Sequence, residues 1–152
     1  MDASPDLVFR YANGVALLAW IALAASPAPA RWSPWVRRIT GRVLPLAFAV
    51  VYVAMLALHW PAEGGFGSIA EVQALFAVPG ALAAGWIHYL AFDLFVGTWI
   101  AERGAALGLP HWQLVPLLLL TFLFGPAGLL GFVLLRALRR PASLRLAPEA
   151  AA

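Results

Sequence analysis

Residues 81–100 read ALAAGWIHYLAFDLFVGTWI, an apolar run long enough to cross a lipid bilayer as a helix. Two ionisable side chains, His88 and Asp93, interrupt this run. A carboxylate near the bilayer centre raises the free energy of membrane insertion by roughly 2.5–3.5 kcal/mol. Each leucine, isoleucine, phenylalanine or valine lowers it by roughly 0.3–0.6 kcal/mol. The segment therefore still inserts, but we expect Asp93 either to have a polar partner or to be protonated.

Three more apolar runs flank this segment, at Leu7–Ala25, Val43–Trp60 and Gln113–Leu135. Apolar residues make up 63% of the 152 residues and charged residues only 11%. In a water-soluble domain, roughly 45–50% of the residues are apolar and about 25% are charged. An ordinary soluble fold and a disordered chain are both excluded. The sequence predicts an all-α polytopic membrane helix bundle with four transmembrane helices and a short interfacial helix. We expect residues 1–140 to form this single membrane domain and residues 141–152 to form a disordered tail.

The last run contains a break at Gly125-Pro126, and this break affects the predicted topology. All ten basic residues are arginine, and four full crossings divide them five against five between the two membrane sides. If the run instead dips into the bilayer and returns, the division becomes nine against one, which the positive-inside rule favours. We expect four full crossings, with the re-entrant hairpin as the alternative. Pro126 also frees a carbonyl near Phe122, either to face a ligand or only as the result of a kink.

The connection between the second and third runs predicts a short helix at the membrane interface. Ser68 and Glu71 have the spacing of a capping box, in which each side chain accepts a hydrogen bond from a backbone amide. Pro79-Gly80 ends this helix. Glu71 is either this cap, which we favour, or an acid that takes part in binding or catalysis.

The third run places its polar side chains on two faces of one helix. At 100° per residue, Trp86, Tyr89 and Asp93 form a stripe, and the Tyr89 hydroxyl can reach Asp93. His88 lies about 140° from Asp93 around a straight helix, so the two do not form a direct pair. A helix that needs packing on both faces is either central in the bundle or part of a homo-oligomer interface. If Asp93 instead has a structural role, in an ion pair or an interhelical hydrogen bond, Arg10 and Asn13 of the first helix are candidate partners.

Several kinds of site are excluded or not expected. The chain has no cysteine, which excludes disulfides, thiol catalysis and cysteine-ligated metals. Its three histidines have no metal-ligand spacing, so we expect neither a metal nor a cofactor. The arginines adjoin apolar runs and indicate membrane anchors rather than a nucleic-acid site. No basic segment precedes the first run, so we expect it to be retained rather than cleaved as a signal peptide.

Three motifs resemble one known family. The string WIH-x-L-x-x-DLF at 86–95, GGFGS at 64–68 and LTFLFGPAGL at 120–129 are similar to the abscisic-acid-deficient-four-like family of small membrane proteins, over roughly Leu7 to Arg136. Its plant member is associated with neoxanthin synthesis from violaxanthin. The resemblance implies an isomerisation in which an epoxide opens to an allene and a tertiary alcohol. It implies Asp93 as the acid, acting through Tyr89, and His88 as the base. The side chains predicted to contact the substrate are those of Trp86, Phe92, Asn13 and Glu71.

Three functions remain open at this point. The first is an isomerase of a carotenoid or another isoprenoid, and the second is a non-catalytic protein that binds pigment or assists a membrane enzyme complex. The third is a small proton-coupled transporter, which the lack of an inverted repeat disfavours. We expect membrane lipid and an isoprenoid as partners, with a homo-oligomer as a further prediction. The arginine-only, alanine-rich composition predicts a bacterial inner membrane.

Overall fold

The computed structural model describes residues 4–61 and 63–139, and this part of the chain is helical without strands. The expected tail at 141–152 and Arg140 lie outside the described residues. The helices are α1 (Pro5–Ala24), α2 (Ser33–Arg38), a π-helical turn (Ile39–Val43), α3 (Leu44–His59), α4 (Ile69–Ala77), α5 (Pro79–Ala106), α6 (His111–Phe124) and α7 (Pro126–Leu138).

Three helical segments are long and apolar enough to cross a membrane, namely Pro5–Ala24, Ser33–His59 and Pro79–Ala106. The second of these is continuous through α2, the π turn and α3, and it begins at Ser33 rather than at the expected Val43. Its arginines therefore lie on a helix and not in a loop. Arginine favours helix formation, and its long side chain lets the charged group reach water from the first turns of a membrane helix.

The expected fourth crossing is not confirmed. The last apolar run forms two helices, α6 with 14 residues and α7 with 13, separated by Gly125. Each is about 20 Å long at 1.5 Å per residue, which is shorter than the roughly 30 Å hydrocarbon core. Gly131 lies against Leu117, and Gly128 lies against Thr121, so the two helices fold back beside each other. This is the hairpin geometry of the alternative topology, and it follows because Pro126 cannot continue the helical hydrogen bonding.

Helix α5 is the centre of the bundle. It contacts α1, α3, α4, α6 and α7, and half of its apolar window is buried, compared with 11% for Ser33–His59. Glycines permit the close approach of two neighbours: Trp20 of α1 packs on Gly97, and Leu114 of α6 packs on Gly104. The expectation that this helix is packed on more than one side is confirmed.

The short helix α4 begins as its capping sequence predicts. The Glu71 amide donates a hydrogen bond to Ser68 Oγ at 3.2 Å, which caps the first turn. The Glu71 carboxylate accepts from the Gly67 amide at 3.0 Å, one residue earlier than in a standard capping box. Glu71 is exposed, and its carboxylate stabilises the start of α4.

Candidate functional site

Asp93 lies at the middle of the 28-residue helix α5, about 20 Å from either end. Only 9% of its surface is exposed. Its Oδ2 atom is buried and has no hydrogen-bond partner within residues 4–61 and 63–139. The carboxylate therefore occupies the depth at which a charge is most costly.

The tip of the α6–α7 hairpin lies directly against this carboxylate. Gly125 has φ +46°, a backbone conformation that favours glycine. A Cβ atom on Gly125 would lie 2.7 Å from Asp93 Oδ1 and 3.0 Å from Oδ2. The Gly125 amide donates to the Thr121 carbonyl at 2.7 Å, so it is already engaged. Glycine thus allows the chain to reverse and leaves the space that Asp93 occupies.

Tyr89 connects Asp93 to the break in the hairpin. Pro126 has no N–H group, so the Phe122 carbonyl lacks the donor that a continuous helix would supply. The Tyr89 hydroxyl donates to this carbonyl at 3.0 Å. Tyr89 also lies close enough to Asp93 for the two polar groups to interact electrostatically. The carbonyl that the sequence predicts to be free is therefore satisfied by a side chain of α5.

Asn13 and Arg10 do not pair with Asp93, and that structural prediction is wrong. The Asn13 amide group donates to the Phe9 carbonyl at 2.7 Å, and its Oδ1 accepts from Trp86 Nε1 at 3.0 Å. Arg10 is exposed. The reason is axial height, because Asn13 lies level with Trp86, about 10 Å along α5 from Asp93.

The predicted stripe of Trp86, Tyr89 and Asp93 is present on one side of α5. The Trp86 and Tyr89 rings are 5.3 Å apart, and Phe9 of α1 lies 5.6 Å from Trp86. A hollow of about 390 Å³ adjoins Trp86 near the N-terminal ends of α1 and α5, and Asp6 and Phe9 are among its lining residues. Between this hollow and the buried Asp93 carboxylate, aromatic rings and the Asn13 amide group therefore line this side of α5.

His88 lies on a different side of α5, beside Tyr52 of α3, and both His88 and Phe92 are exposed. The His88 ring is 5.5 Å from Tyr52 and 4.6 Å from Phe92. It lines a separate hollow of about 220 Å³ whose other walls are largely apolar, with Leu75 and Phe76 among them. The structure therefore does not bring His88 to Asp93, in agreement with the angular argument.

The other two histidines have structural contacts. His59 Nδ1 lies 3.1 Å from the Met55 carbonyl, and His111 Nε2 lies 2.7 Å from the Ala24 carbonyl. Across the described ranges, no three histidine or acidic side chains come together as a metal site. Glu71 belongs to neither side-chain group and serves the cap of α4.

Sequence reasoning missed two features of the site, the contact of Gly125 with Asp93 and the contribution of Tyr52 to the His88 hollow. The dipeptide Gly125-Pro126 inside an apolar run was the available signal for the first. No local signal identifies Tyr52, because it lies within an apolar run that forms its own helix.

A family model described as ABA4-like, ABA DEFICIENT 4-like, matches residues 7–132. The chain belongs to this family. The matched region includes Asp93, Tyr89, the hairpin tip and the His88 hollow. Together with the apolar helices, it makes the chain a membrane protein of the ABA4-like family. Neither the curated proteins nor the solved structures include a significant match.

Proposed function

We propose that this ABA4-like protein is an isomerase of an oxygenated isoprenoid, with Asp93 as the group that transfers protons inside the bilayer. The observation that carries the proposal is the Asp93 Oδ2 atom, which is buried without a hydrogen-bond partner among the described residues. An ionisable side chain inside a membrane is a functional-site candidate because its insertion cost must be offset. A purely structural carboxylate would be expected to have both oxygens satisfied.

One carboxyl group is sufficient for the chemistry that the family resemblance suggests. In its protonated form, Asp93 donates a proton to the epoxide oxygen as the C–O bond breaks. The resulting carboxylate then accepts the proton released from the neighbouring polyene carbon, and the C–H electron pair forms the new double bond of the allene. No proton is gained or lost overall, so the carboxyl group is regenerated.

This scheme needs no contribution from His88, which faces α3. Tyr89 acts as a positioning residue, because its hydroxyl is held by the Phe122 carbonyl beside Asp93. The Trp86 and Phe9 rings offer flat apolar surface for a conjugated chain. Asp93 therefore takes the role of base as well as that of acid, Tyr89 positions it rather than relaying the proton, and His88 lies outside the reacting centre.

Expression of the protein in a host that makes epoxidised carotenoids tests the proposal. Wild type should convert an epoxide into an allenic alcohol, detected by chromatography and mass spectrometry of the pigments. Asp93→Asn keeps the shape of the side chain but cannot transfer the proton, so conversion should fall by about 10²–10⁴. His88→Gln is the matched control and should retain conversion. Full conversion by Asp93→Asn at equal membrane abundance would refute the assignment.

A second candidate, non-catalytic binding of a pigment or another isoprenoid, is favoured by the His88 hollow. This hollow is separate from Asp93, and aromatic and aliphatic side chains dominate its lining. It predicts that purified protein retains an unmodified pigment and that His88→Ala or Tyr52→Ala reduces the retained amount, whereas Asp93→Asn does not. An unchanged pigment profile together with this pattern would favour binding over isomerisation.

A further inference from the structure

We infer that the start of the Ser33–His59 helix carries a binding site for the phosphodiester headgroup of an anionic phospholipid. The site is a hollow of about 420 Å³ lined by Pro34, Trp35, Arg38, Arg42 and Glu102. It is independent of the proposed isomerase, because it lies at the opposite end of α5 from the hollow beside Trp86.

Arg38 and Arg42 are one helical turn apart, and both line this hollow. The Arg38 guanidinium carbon lies 5.7 Å from the centre of the Trp35 ring, a cation–π contact that orients the group. A guanidinium presents a planar fork of N–H donors that matches two oxygens of a phosphate. Two such forks on one wall can therefore hold one phosphodiester.

These charges are not neutralised by the described chain. Within residues 4–61 and 63–139, the side chains of Arg38, Arg42 and Glu102 have no ion-pair or hydrogen-bond partner, and Arg38 has a cation–π contact with the Trp35 ring. Two guanidinium groups and one carboxylate therefore line the hollow, and all three are free to form hydrogen bonds with a ligand. The guanidinium groups can bind an anionic phosphate, and the carboxylate can accept a hydrogen bond from a separate donor group of the same ligand.

The depth of the hollow favours a lipid over a dissolved anion. It lies near the first turn of one membrane-spanning helix and the last turns of another, which is the level of lipid headgroups. Beyond Arg42, toward the bilayer centre, the same helix exposes Val43 and Leu46, with 54% and 67% of their surfaces accessible. These side chains offer apolar surface to acyl chains whose headgroup is held above.

Glu102 gives the site a preference among anionic lipids. Its carboxylate can accept a hydrogen bond from a hydroxyl, as in the glycerol headgroup of phosphatidylglycerol. Phosphatidic acid has no such hydroxyl and carries more negative charge, so Glu102 should disfavour it. The expected order of binding is therefore phosphatidylglycerol first, then phosphatidic acid, then zwitterionic phosphatidylcholine.

Native mass spectrometry of the full chain released from mixed micelles of these three lipids tests the site. Wild type should retain phosphatidylglycerol, and Arg38→Gln with Arg42→Gln should lower the retained fraction at least fivefold. The matched control is Arg31→Gln with Arg103→Gln, which removes two exposed arginines that do not line the hollow. Equal loss in both double variants would overturn the inference, because charge alone would then explain the binding.

Two further arms separate the possible sources of phosphate and the role of Glu102. Soluble glycerol phosphate at millimolar concentration should not displace the lipid, and displacement would overturn the assignment to a membrane lipid. Glu102→Gln should reduce the preference for phosphatidylglycerol over phosphatidic acid, whereas an unchanged ratio would overturn the role of this carboxylate. Arg38→Lys with Arg42→Lys keeps the charge without the forks, and retention equal to wild type would overturn the bidentate geometry.

Discussion

At the scale of single residues, Asp93 and Gly125 depend on each other. Asp93 can remain buried at the middle of α5 only because the residue opposite has no side chain. Gly125 in turn adopts a backbone conformation that L side chains rarely adopt. The burial of the Asp93 carboxylate and the reversal of the chain at Gly125 therefore depend on the same contact.

Gly125→Ala should destabilise the protein by about 1–3 kcal/mol, because the new methyl group meets the Asp93 carboxylate and the positive φ becomes strained. The measurement is the melting temperature of the purified protein in detergent. Gly14→Ala is the control, since a Cβ atom at Gly14 would have no neighbour within 4 Å. Combining Gly125→Ala with Asp93→Ala should recover part of the loss. An equal effect of both single glycine variants would contradict this account.

Tyr89→Phe removes the hydroxyl that satisfies the Phe122 carbonyl. A buried acceptor without a donor costs about 1–3 kcal/mol, so the melting temperature should fall. If Tyr89 positions the acid, conversion of the epoxide should also fall more than loss of folded protein explains. Trp86→Phe, which leaves the Phe122 carbonyl bond in place, provides the comparison. A normal melting temperature in Tyr89→Phe would show that water or another donor replaces the hydroxyl.

At the scale of elements, the π turn is the part of the second spanning segment that packs against the C-terminal half of α5 through side-chain hydrogen bonds. The Thr98 hydroxyl donates to the Thr40 hydroxyl at 2.8 Å, and Thr40 donates to the Val36 carbonyl at 2.9 Å. Gly41 lies beside the Thr98 side chain, where a Cβ atom would be 2.7 Å from Thr98 Cγ2. Small residues at helix contacts let backbones approach closely within a membrane, so this turn sets the distance between the two segments.

Gly41→Ala should therefore destabilise the contact between the π turn and α5, by about 1–3 kcal/mol as for other overpacked sites. Adding Thr98→Ala removes the methyl group that clashes, so the double variant should be more stable than the sum of the single effects predicts. Thermal unfolding of the four members of this cycle measures the coupling. Additive changes in stability would mean that Gly41 and Thr98 are not coupled by a steric contact.

At the scale of the whole molecule, the hairpin separates the charges between the two ends. Because α7 returns toward the end at which α6 begins, its arginines join those of the second spanning segment and of the end of α5. The opposite end holds Arg10 together with acidic residues. The positive-inside rule then predicts that the arginine-rich end faces the cytoplasm. The described arginines at this end are Arg31, Arg37, Arg38, Arg42, Arg103, Arg136 and Arg139.

Single cysteines introduced into the native sequence, which has none, test this topology. Leu107→Cys and Leu138→Cys should react with an impermeant maleimide from the same membrane side, and Gln73→Cys from the other side. All three positions are exposed. The unmodified chain supplies the zero-labelling control. Labelling of Leu138→Cys together with Gln73→Cys would show that the last run crosses the membrane completely.

Much of this fold could be predicted from local properties of the chain. The three spanning runs, the cap of α4 and the Trp86–Tyr89–Asp93 stripe follow from apolar run length, capping chemistry and helical periodicity. The start of the second span at Ser33 was missed because arginines suggested a loop. The two candidate partners of Asp93, Arg10 and Asn13, were wrong because relative helix height depends on packing across the bundle, which no single helix encodes.

The sequence alone therefore determined that the chain enters a membrane, that Asp93 lies at the centre of a span, and that His88 points elsewhere. These results depend on hydrophobicity and on rotation per residue, which are local. Only the tertiary structure decided that the break at Gly125 reverses the chain and places its tip against Asp93. Whether a broken helix kinks or folds back depends on what its two arms pack against, and here α5 supplies that surface.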